Sequence, residues 1–240
     1  MSRIAVLFIH GIIGTPRHFT ELIPLVQQVP EDFTVSNIIL DGHGGTVDDF
    51  AHTSMAKWKA QVAKEIQRLS ESHTKLIVVA HSMGSLLAIQ QAVTCPERIS
   101  ELFLLAVPLK IFLKPAAFSN SIKVLTGKIS PSDNMGQAAL KSFGMKPDKR
   151  IWKYLKWIPR YLELFTEIRK TRKILPEISI PCQAYQSEKD EMVWPGTYTL
   201  LKKNPSLKVK LLKTSTHYLY GNQDRDLVLE QFRQLMLYYN

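Results

Sequence analysis

The sequence predicts an α/β protein, with a mostly parallel sheet flanked by helices and interrupted by a small helical cap insertion. Short apolar runs alternate with helical patterns along most of the 240 residues, which is typical of a parallel sheet covered on both faces. Between residues 110 and 174 the strand-like runs stop, and proline and glycine divide the segment into short helical pieces. A single domain that carries an insertion is the simplest organisation for this length.

The chain before the insertion indicates four strands and two helices. Ile4–Ile9 has no polar alternation, which favours a strand buried on both faces. Ser54 is placed to cap a helix whose apolar residues recur at helical spacing. The remaining elements expected here are strands at 34–40, 76–80 and 99–107 and a helix at 84–94.

The strand pattern resumes after the insertion. We expect strands at 182–186 and 207–212 and a final helix at 225–238. The predicted organisation is therefore a core formed by residues 1–109 and 175–240, with residues 110–174 inserted as a helical cap.

Composition excludes several classes of protein. The chain has only two cysteines, Cys95 and Cys182, which excludes a disulfide-stapled secreted scaffold. These two cysteines also match no metal-ligand spacing. The longest apolar runs have the length of strands and are much shorter than a membrane span. Residues 1–3 lead directly into a strand-like run instead of a basic and then apolar leader. We therefore expect a reduced, cytoplasmic protein.

The net charge of +10 is concentrated in one segment. Residues 110–160 contain eleven Lys and Arg against two acidic residues, whereas the rest of the chain is close to neutral. Any partner that the basicity implies belongs to this segment.

The segment 79–85, Val-Ala-His-Ser-Met-Gly-Ser, lies at a joint between a predicted strand and a predicted helix. A serine on a tight turn there presents its hydroxyl at the carboxyl edge of the sheet, which favours Ser82 as a nucleophile over a simple helix cap. Ala80 and Gly84 are small, as the close strand and helix backbones require. The Met83 N–H, at the helix start, points to where an oxyanion forms.

Together with His10-Gly11-Ile12-Ile13-Gly14 and Asp41-Gly42-His43-Gly44, this segment resembles the α/β-hydrolase superfamily, in particular microbial carboxylesterases and monoacylglycerol lipases. The resemblance covers nearly the whole chain, with 110–174 as the family's variable cap. It implies that the Ile12 N–H is the second oxyanion donor. His10 and His81 are expected to support the oxyanion loops, beside Gly11 and Gly84. Ala80 and Ser85 depart from the more frequent glycines.

The catalytic base follows from chain order in this fold, which places it near the C-terminus. Six of the seven histidines precede Ser82, so His217 is the candidate base. The acid must lie between the two, after the strand at 182–186, where three carboxylates occur. The family pattern favours Asp190, with Glu188 and Glu191 as competitors. Asp133 and Asp148 are interpreted as solvated or capping residues.

The histidines and the basic segment also invite two other interpretations, a metal site and a nucleic-acid site. His10, His43 and His81 invite a metal interpretation, but strands separate them and no carboxylate cluster accompanies them. We expect neither a metal nor an organic cofactor. A basic segment also suits nucleic acid, but no recognition motif accompanies it, so no nucleic-acid partner is expected.

The expected function is hydrolysis of small-molecule carboxylic esters, short to medium in acyl length and lipid-like, such as monoacylglycerols or lysolipids. A thioesterase or a serine aminopeptidase would use the same residues, and a catalytically inactive binding protein would share the fold. Aromatic and basic residues alternate at 152–158. They predict either a lid whose basic face contacts an anionic membrane or an amphipathic helix with a solvated lysine face.

Overall fold

The computed structural model describes residues 4–28, 33–126 and 128–239. Residues 1–3, for which the sequence predicts no leader, lie outside the described residues. Six strands form one sheet in the order β2-β1-β3-β4-β5-β6, and every neighbouring pair is parallel. The strands are β1 Ile4–Ile9, β2 Phe33–Ile38, β3 Lys75–His81, β4 Glu101–Leu105, β5 Cys182–Ser187 and β6 Leu207–Leu212. The predicted fold class is confirmed.

Helices connect the strands and cover both faces of the sheet. The α-helices are α1 Ile23–Gln27, α2 Val47–Ala51, α3 Met55–Ser72, α4 Met83–Thr94, α5 Pro115–Thr126, α6 Asn134–Ser142, α7 Ile158–Ile174, α8 Thr197–Leu201 and α9 Asn222–Tyr239. Short 3-10 helices occur at Pro16–Phe19, Pro96–Arg98, Ile151–Trp157 and Leu175–Glu177.

Local sequence accounts for several element boundaries. The Ser54 side chain caps α3 by accepting a hydrogen bond from the Lys57 N–H, as expected. Thr46 and Asp49 form a reciprocal capping box that begins α2, which the sequence analysis did not predict. β4 is shorter than the predicted strand at 99–107, because a 3-10 helix precedes it and Ala106 adopts a φ of 51°, outside the extended region.

The β2 strand ends at Ile38, two residues before the predicted boundary. β2 is paired residue by residue with β1, and the last pair joins Ile9 to Ile38. Beyond this pair, the Leu40 N–H donates to the Nε2 atom of His10 at 3.1 Å instead of to a strand. The last helix begins at Asn222, three residues earlier than predicted.

Two apolar layers enclose the sheet. On one face, α3 and α4 bury apolar side chains such as Trp58 and Leu86 against the strands, and α7 packs on α3 and α4 with Ile168 in the same cluster. On the other face, α1 and α9 pack over a cluster that includes Phe8 and Phe232. Burying a large apolar side chain contributes about 1.5–3 kcal/mol, so both layers stabilise the sheet. The inner strands β1 and β4 are buried along their whole length, whereas the edge strand β2 is partly buried.

The parallel arrangement brings the carboxyl ends of the strands to one edge. Ile9 at the end of β1 pairs with Ala80 of β3, and His81 pairs with Leu105 of β4. At the other side of the sheet, Ser187 of β5 pairs with Leu212 of β6. Each loop that follows a strand therefore starts at the same edge, which is where ligands bind in open parallel sheets.

Between β4 and β5, the described residues of 110–174 form helices, and their strand-type pairing is confined to two isolated bridges. This segment lies over the loops at the carboxyl edge. The Trp157 indole N–H donates to the Val47 carbonyl at 2.9 Å, and Glu163 accepts from the Met55 N–H at 2.9 Å. The segment is thereby attached to the starts of α2 and α3.

Candidate active site

Ser82 occupies a strained turn between β3 and α4. Its φ of 51° and ψ of −124° lie in a region that non-glycine residues rarely adopt and that costs about 1–3 kcal/mol. Its N–H donates to the Leu105 carbonyl at 2.9 Å, which attaches the turn to β4. A Cβ atom at Gly84 would lie 2.3 Å from the Ile9 carbonyl oxygen, so no larger residue fits there. Gly84 thus allows the start of α4 to lie close to the end of β1.

His217 lies in the loop after β6 and faces Asp190. The Nδ1 atom of His217 is 2.8 Å from Oδ2 of Asp190, and both side chains are buried. The other oxygen of Asp190 accepts the N–H groups of Met192 and Val193, each at 2.8 Å. These bonds fix the orientation of the carboxylate, and the carboxylate fixes the imidazole.

The structure distinguishes the three carboxylates that follow β5. Asp190 reaches the His217 ring, whereas Glu191 accepts a hydrogen bond from the His217 backbone N–H at 3.0 Å. Glu188 is exposed, and its N–H donates to Leu212 of β6. The sequence analysis interpreted Asp133 and Asp148 as solvated or capping residues. In the structure, Asp133 caps α6 by accepting the Gly136 N–H, and Asp148 pairs with Arg150.

The environment of His217 favours its protonated form. Burial lowers the pKa of the imidazole, but the charge of Asp190 and the hydrogen bond to it, together with the charge of Glu191, raise it above 6.5 overall. A carboxylate-backed imidazole of this kind is a suitable proton acceptor for a neighbouring hydroxyl.

Ser82 and His217 are connected through His81, the last residue of β3. The Nε2 atom of His81 lies 3.2 Å from the His217 carbonyl oxygen, and the centroids of their rings are 4.9 Å apart. Ser82 also lines a narrow cleft of about 210 Å³ together with Tyr218, the neighbour of His217. Among the hydrogen bonds of the described residues, none joins the Ser82 hydroxyl directly to His217.

The two candidate oxyanion donors lie on either side of Ser82. Met83 is the first residue of α4, where the N–H has no acceptor within the helix. Ile12 lines the same cleft as Ser82. A Cβ atom at Gly11 would lie 2.8 Å from the Cβ atom of Ser82, so the loop after β1 approaches the serine closely.

His10 holds this loop in place. Its Nδ1 atom lies 2.9 Å from the Gly11 carbonyl oxygen, and its Nε2 atom accepts the Leu40 N–H at 3.1 Å. Burial lowers the pKa of His10 to about 4, and burial together with the charge of His10 lowers the pKa of His43 to about 3. Both ring nitrogens of His10 are therefore hydrogen-bonded to backbone groups.

His18 is a residue that the sequence analysis did not single out. Its ring stacks on that of His81 with centroids 3.7 Å apart, and it lines the cleft beside Ser82. The pattern around it has no chemical signature, since only the folded loop brings residue 18 to residue 81.

An apolar cavity of about 760 Å³ lies between the sheet edge and residues 110–174. Residues from this segment form most of its wall, and Glu191, Met192 and Tyr218 close it near His217. Ser142 and Tyr218 line both this cavity and the Ser82 cleft. The apolar residues contributed by the segment include Val124, Leu125, Phe143, Tyr154, Trp157 and Tyr161.

A parallel sheet with a serine on a strained turn between strand and helix is typical of the hydrolases built on this architecture. A family model described as the alpha/beta hydrolase family matches residues 6–237. The chain therefore belongs to the alpha/beta hydrolase family. A search among curated proteins finds no match.

Solved structures share the fold. One of the two metagenome-derived lipolytic enzymes LipS and LipT is 21% identical, with a TM-score of 0.74 over 98% of this chain and 94% of that one. A monoacylglycerol lipase of Paleococcus ferrophilus is 19% identical, with a TM-score of 0.66 over 97% and 93%. The thioesterase domain from the curacin biosynthetic pathway is 20% identical, with a TM-score of 0.61 over 98% and 91%.

These similarities show that the fold is that of known lipases and esterases. Membership of the family supports hydrolase activity for the chain at this general level. None of the helices in the described residues combines the length and apolar character that a membrane crossing requires.

Proposed function

We propose that the protein is a serine hydrolase that cleaves carboxylic esters through an acyl-enzyme, with Ser82 as nucleophile, His217 as base and Asp190 as acid. The observation that carries this proposal is the 2.8 Å contact between His217 and Asp190 beside the strained Ser82 turn. Hydrogen bonds between nucleophile and base are often long without substrate and shorten when substrate binds.

In the proposed mechanism, Ser82 attacks the acyl carbonyl while His217 accepts its proton. The N–H groups of Ile12 and Met83 stabilise the resulting oxyanion. The tetrahedral intermediate then collapses, and the leaving alkoxide takes the proton from His217. Water, activated by His217, finally attacks the acyl-enzyme and releases the acid. Asp190 holds the imidazole in the tautomer that each step needs.

The apolar cavity supports an acyl substrate of short to medium length. Its wall is largely apolar, which suits an acyl chain better than a polar group. We propose that residues 110–174 act as a cap over this cavity. The lipolytic and monoacylglycerol lipase names of structural neighbours agree with lipid-like esters, such as monoacylglycerols or lysolipids. A thioester belongs in the substrate screen, because another neighbour is a thioesterase domain.

The first test is the substitution Ser82→Ala. We expect ester hydrolysis to fall by about 10⁶-fold, as for other triad nucleophiles, with little change in the melting temperature. A fluorophosphonate probe should label the wild-type protein and leave Ser82→Ala unlabelled. Ser132→Ala, which removes an exposed hydroxyl in the proposed cap, is the matched control and should keep full activity and labelling. Normal hydrolysis by Ser82→Ala would show that the nucleophile is another residue.

We also propose that the cap docks on anionic membranes. Large apolar side chains recur along one strip of the 3-10 helix Ile151–Trp157 and of α7. They are 42–71% exposed: Ile151, Trp152, Leu155, Ile158, Leu162 and Phe165. Exposed cations, including Lys156 and Arg169, adjoin this strip in the sequence. An apolar strip bordered by cations matches the chemistry of an anionic lipid surface.

Vesicle flotation tests this proposal. Binding should increase as phosphatidylglycerol replaces phosphatidylcholine in the vesicles, and it should weaken several-fold in Leu155→Ser. Leu237→Ser removes a leucine near the end of α9 that is 56% exposed, against 65% for Leu155, and should bind as the wild-type protein does. Binding that is independent of phosphatidylglycerol, or that both variants weaken equally, would contradict docking through the cap.

We propose a cytoplasmic location. Both cysteines are free thiols, and the Cys182 thiol is buried in β5. Free thiols persist in the reducing conditions of the cytoplasm.

A further inference from the structure

A second cavity adjoins the Ser82 cleft. It is an open groove of about 1300 Å³ that runs between the loop after β1, α6 and the start of α9. His18, Ser142 and Tyr218 line both this groove and the Ser82 cleft. A substrate bound at Ser82 therefore has two directions in which to extend, one into each cavity.

Helix α6 separates the two cavities. Residues 134, 137, 138 and 141, spaced as one helical face, line the groove. Ala139 and Phe143 line the apolar cavity, and Ser142 lines both. The polar residues Asn134, Gln137 and Lys141 of α6 thus face the groove, whereas Ala139 and Phe143, the residue that follows the helix, face the apolar cavity.

The groove carries positive charge. Arg17, Lys141 and Arg225 line it, together with one acidic residue, Glu21. Glu21 accepts a hydrogen bond from Arg225 at 2.8 Å, so these two charges compensate each other. Across residues 4–28, 33–126 and 128–239, no salt bridge involves Arg17 or Lys141. We call this cavity, defined by Arg17, Lys141 and Arg225, the cationic groove.

His18 contributes no charge to the cationic groove at neutral pH. Burial, then the neighbouring imidazoles of His217 and His10 and the Lys141 ammonium, lower the pKa of His18 to about 3. The excess positive charge therefore resides on Arg17 and Lys141.

We infer that the cationic groove binds the leaving group of the substrate, and that this leaving group is an alcohol that carries a phosphate. The inference rests on the proposed esterase function, because it assigns the acyl chain to the apolar cavity and the alcohol to the opposite side of Ser82. Guanidinium and ammonium groups are the protein groups that best bind phosphate. Asn134 and Gln137 also line the groove and offer amide donors for further phosphate oxygens.

A matched pair of substrates tests the inference. 1-Octanoylglycerol and 1-octanoylglycerol 3-phosphate share the acyl chain and the ester and differ in the phosphate alone. With both below their micelle-forming concentrations, the wild-type kcat/KM should be higher for the phosphate. In the double variant Arg17→Gln/Lys141→Gln, the ratio of phosphate to neutral ester should fall about tenfold, the effect of two partly exposed charge pairs.

Lys149→Gln removes an exposed cation of the same proposed cap that does not line the groove. This control variant should keep the wild-type ratio. All three proteins should be compared by thermal melting. A loss of stability would lower kcat/KM for both substrates alike and leave their ratio unaffected. Calorimetry of glycerol 3-phosphate binding to Ser82→Ala adds a measurement that needs no turnover.

The possible results separate the inference from the function on which it rests. A wild-type ratio of one or less, or an equal ratio in the double variant, would overturn the assignment of the groove while ester hydrolysis stands. Absence of glycerol 3-phosphate binding would overturn it as well. Loss of all ester turnover and labelling, with glycerol 3-phosphate still bound, would contradict the proposed esterase and leave an anion-binding groove.

Discussion

The imidazoles around Ser82 differ in the groups that face them, and this difference assigns their chemistry. The pKa values of His10, His18 and His81 are lowered chiefly by burial. His217 faces the Asp190 carboxylate, and its pKa is raised. Groups of one kind whose environments move their pKa values apart divide acid–base roles among themselves. The neutral imidazoles are therefore structural, and His217 is the proton carrier of the proposed mechanism.

Asp190→Asn is the prediction that follows at this scale. The asparagine oxygen can still accept the Met192 and Val193 N–H groups, but the negative charge beside His217 is lost. We expect kcat to fall by about 10⁴-fold, as in other triads. His217 must be neutral to accept the Ser82 proton, so activity is lost as pH falls through its raised pKa. Without the carboxylate, this acid limb should move to lower pH.

The measurement is the pH profile of kcat/KM. Glu188→Gln, which neutralises an exposed carboxylate two residues away, should keep both the wild-type rate and the position of the acid limb. If the acid limb moved in Glu188→Gln and stayed in place in Asp190→Asn, Glu188 and not Asp190 would be the acid that acts on His217.

Among the elements, the contact of α6 with the loop after β1 links the proposed cap to the oxyanion site. Immediately after α6, the Gly144 N–H donates to the Ile13 carbonyl at 2.8 Å, and its carbonyl accepts the Gly44 N–H at 2.5 Å. A Cβ atom at Gly144 would lie 1.9 Å from the Gly14 carbonyl oxygen, a backbone atom that cannot turn away. The position of Ile12 therefore depends on the segment that follows α6.

Gly144→Ala should displace this loop and with it the Ile12 N–H. Because that donor acts on the oxyanion, we expect kcat to fall about 10- to 100-fold with a smaller change in KM, somewhat less than the loss of a complete oxyanion donor. Gly136→Ala is the matched control, since the added methyl group meets the side chains of Asp133 and Ile129 instead of a backbone. Equal loss of kcat in both variants would indicate general disturbance of α6.

For the whole molecule, the arrangement of the site has a cost in stability at acid pH. His10, His43 and His81 are buried and have lowered pKa values, so the unfolded chain binds more protons than the folded one below pH 6.5. Their contribution to stability is lost as pH falls from 6.5 toward the folded pKa values. His217 acts in the opposite direction, because its folded pKa is raised.

Urea unfolding as a function of pH measures this effect. The free energy of unfolding should decrease by about 1 kcal/mol for each buried neutral imidazole between pH 6.5 and 5.5, offset in part by His217. In His43→Gln, the free energy of unfolding should fall by about 1 kcal/mol less over this pH range, because one buried imidazole is missing. His52→Gln alters an exposed histidine and should leave the pH dependence as it is in the wild type. A free energy that stays constant over this range would contradict the buried neutral state of these rings.

Much of the candidate site could be inferred from sequence because its parts are local. The strand, the turn and the helix around Ser82 are contiguous, and the need for small residues at Ala80 and Gly84 follows from their short distance along the chain. The choice among Glu188, Asp190 and Glu191 was different. It depends on which way a short irregular loop directs each side chain, and hydrophobic pattern carries no information about that.

The sequence by itself determined the parallel α/β sheet, the family and the order in which the candidate catalytic residues occur, since these follow from periodicity and from contiguous motifs. Only the tertiary structure decided which carboxylate meets His217, that His18 stacks on His81, and that Gly144 contacts the loop after β1. It also revealed an apolar cavity and a cationic groove on opposite sides of α6. Such features join segments far apart in the chain, and their geometry is set by the packing of all the elements together.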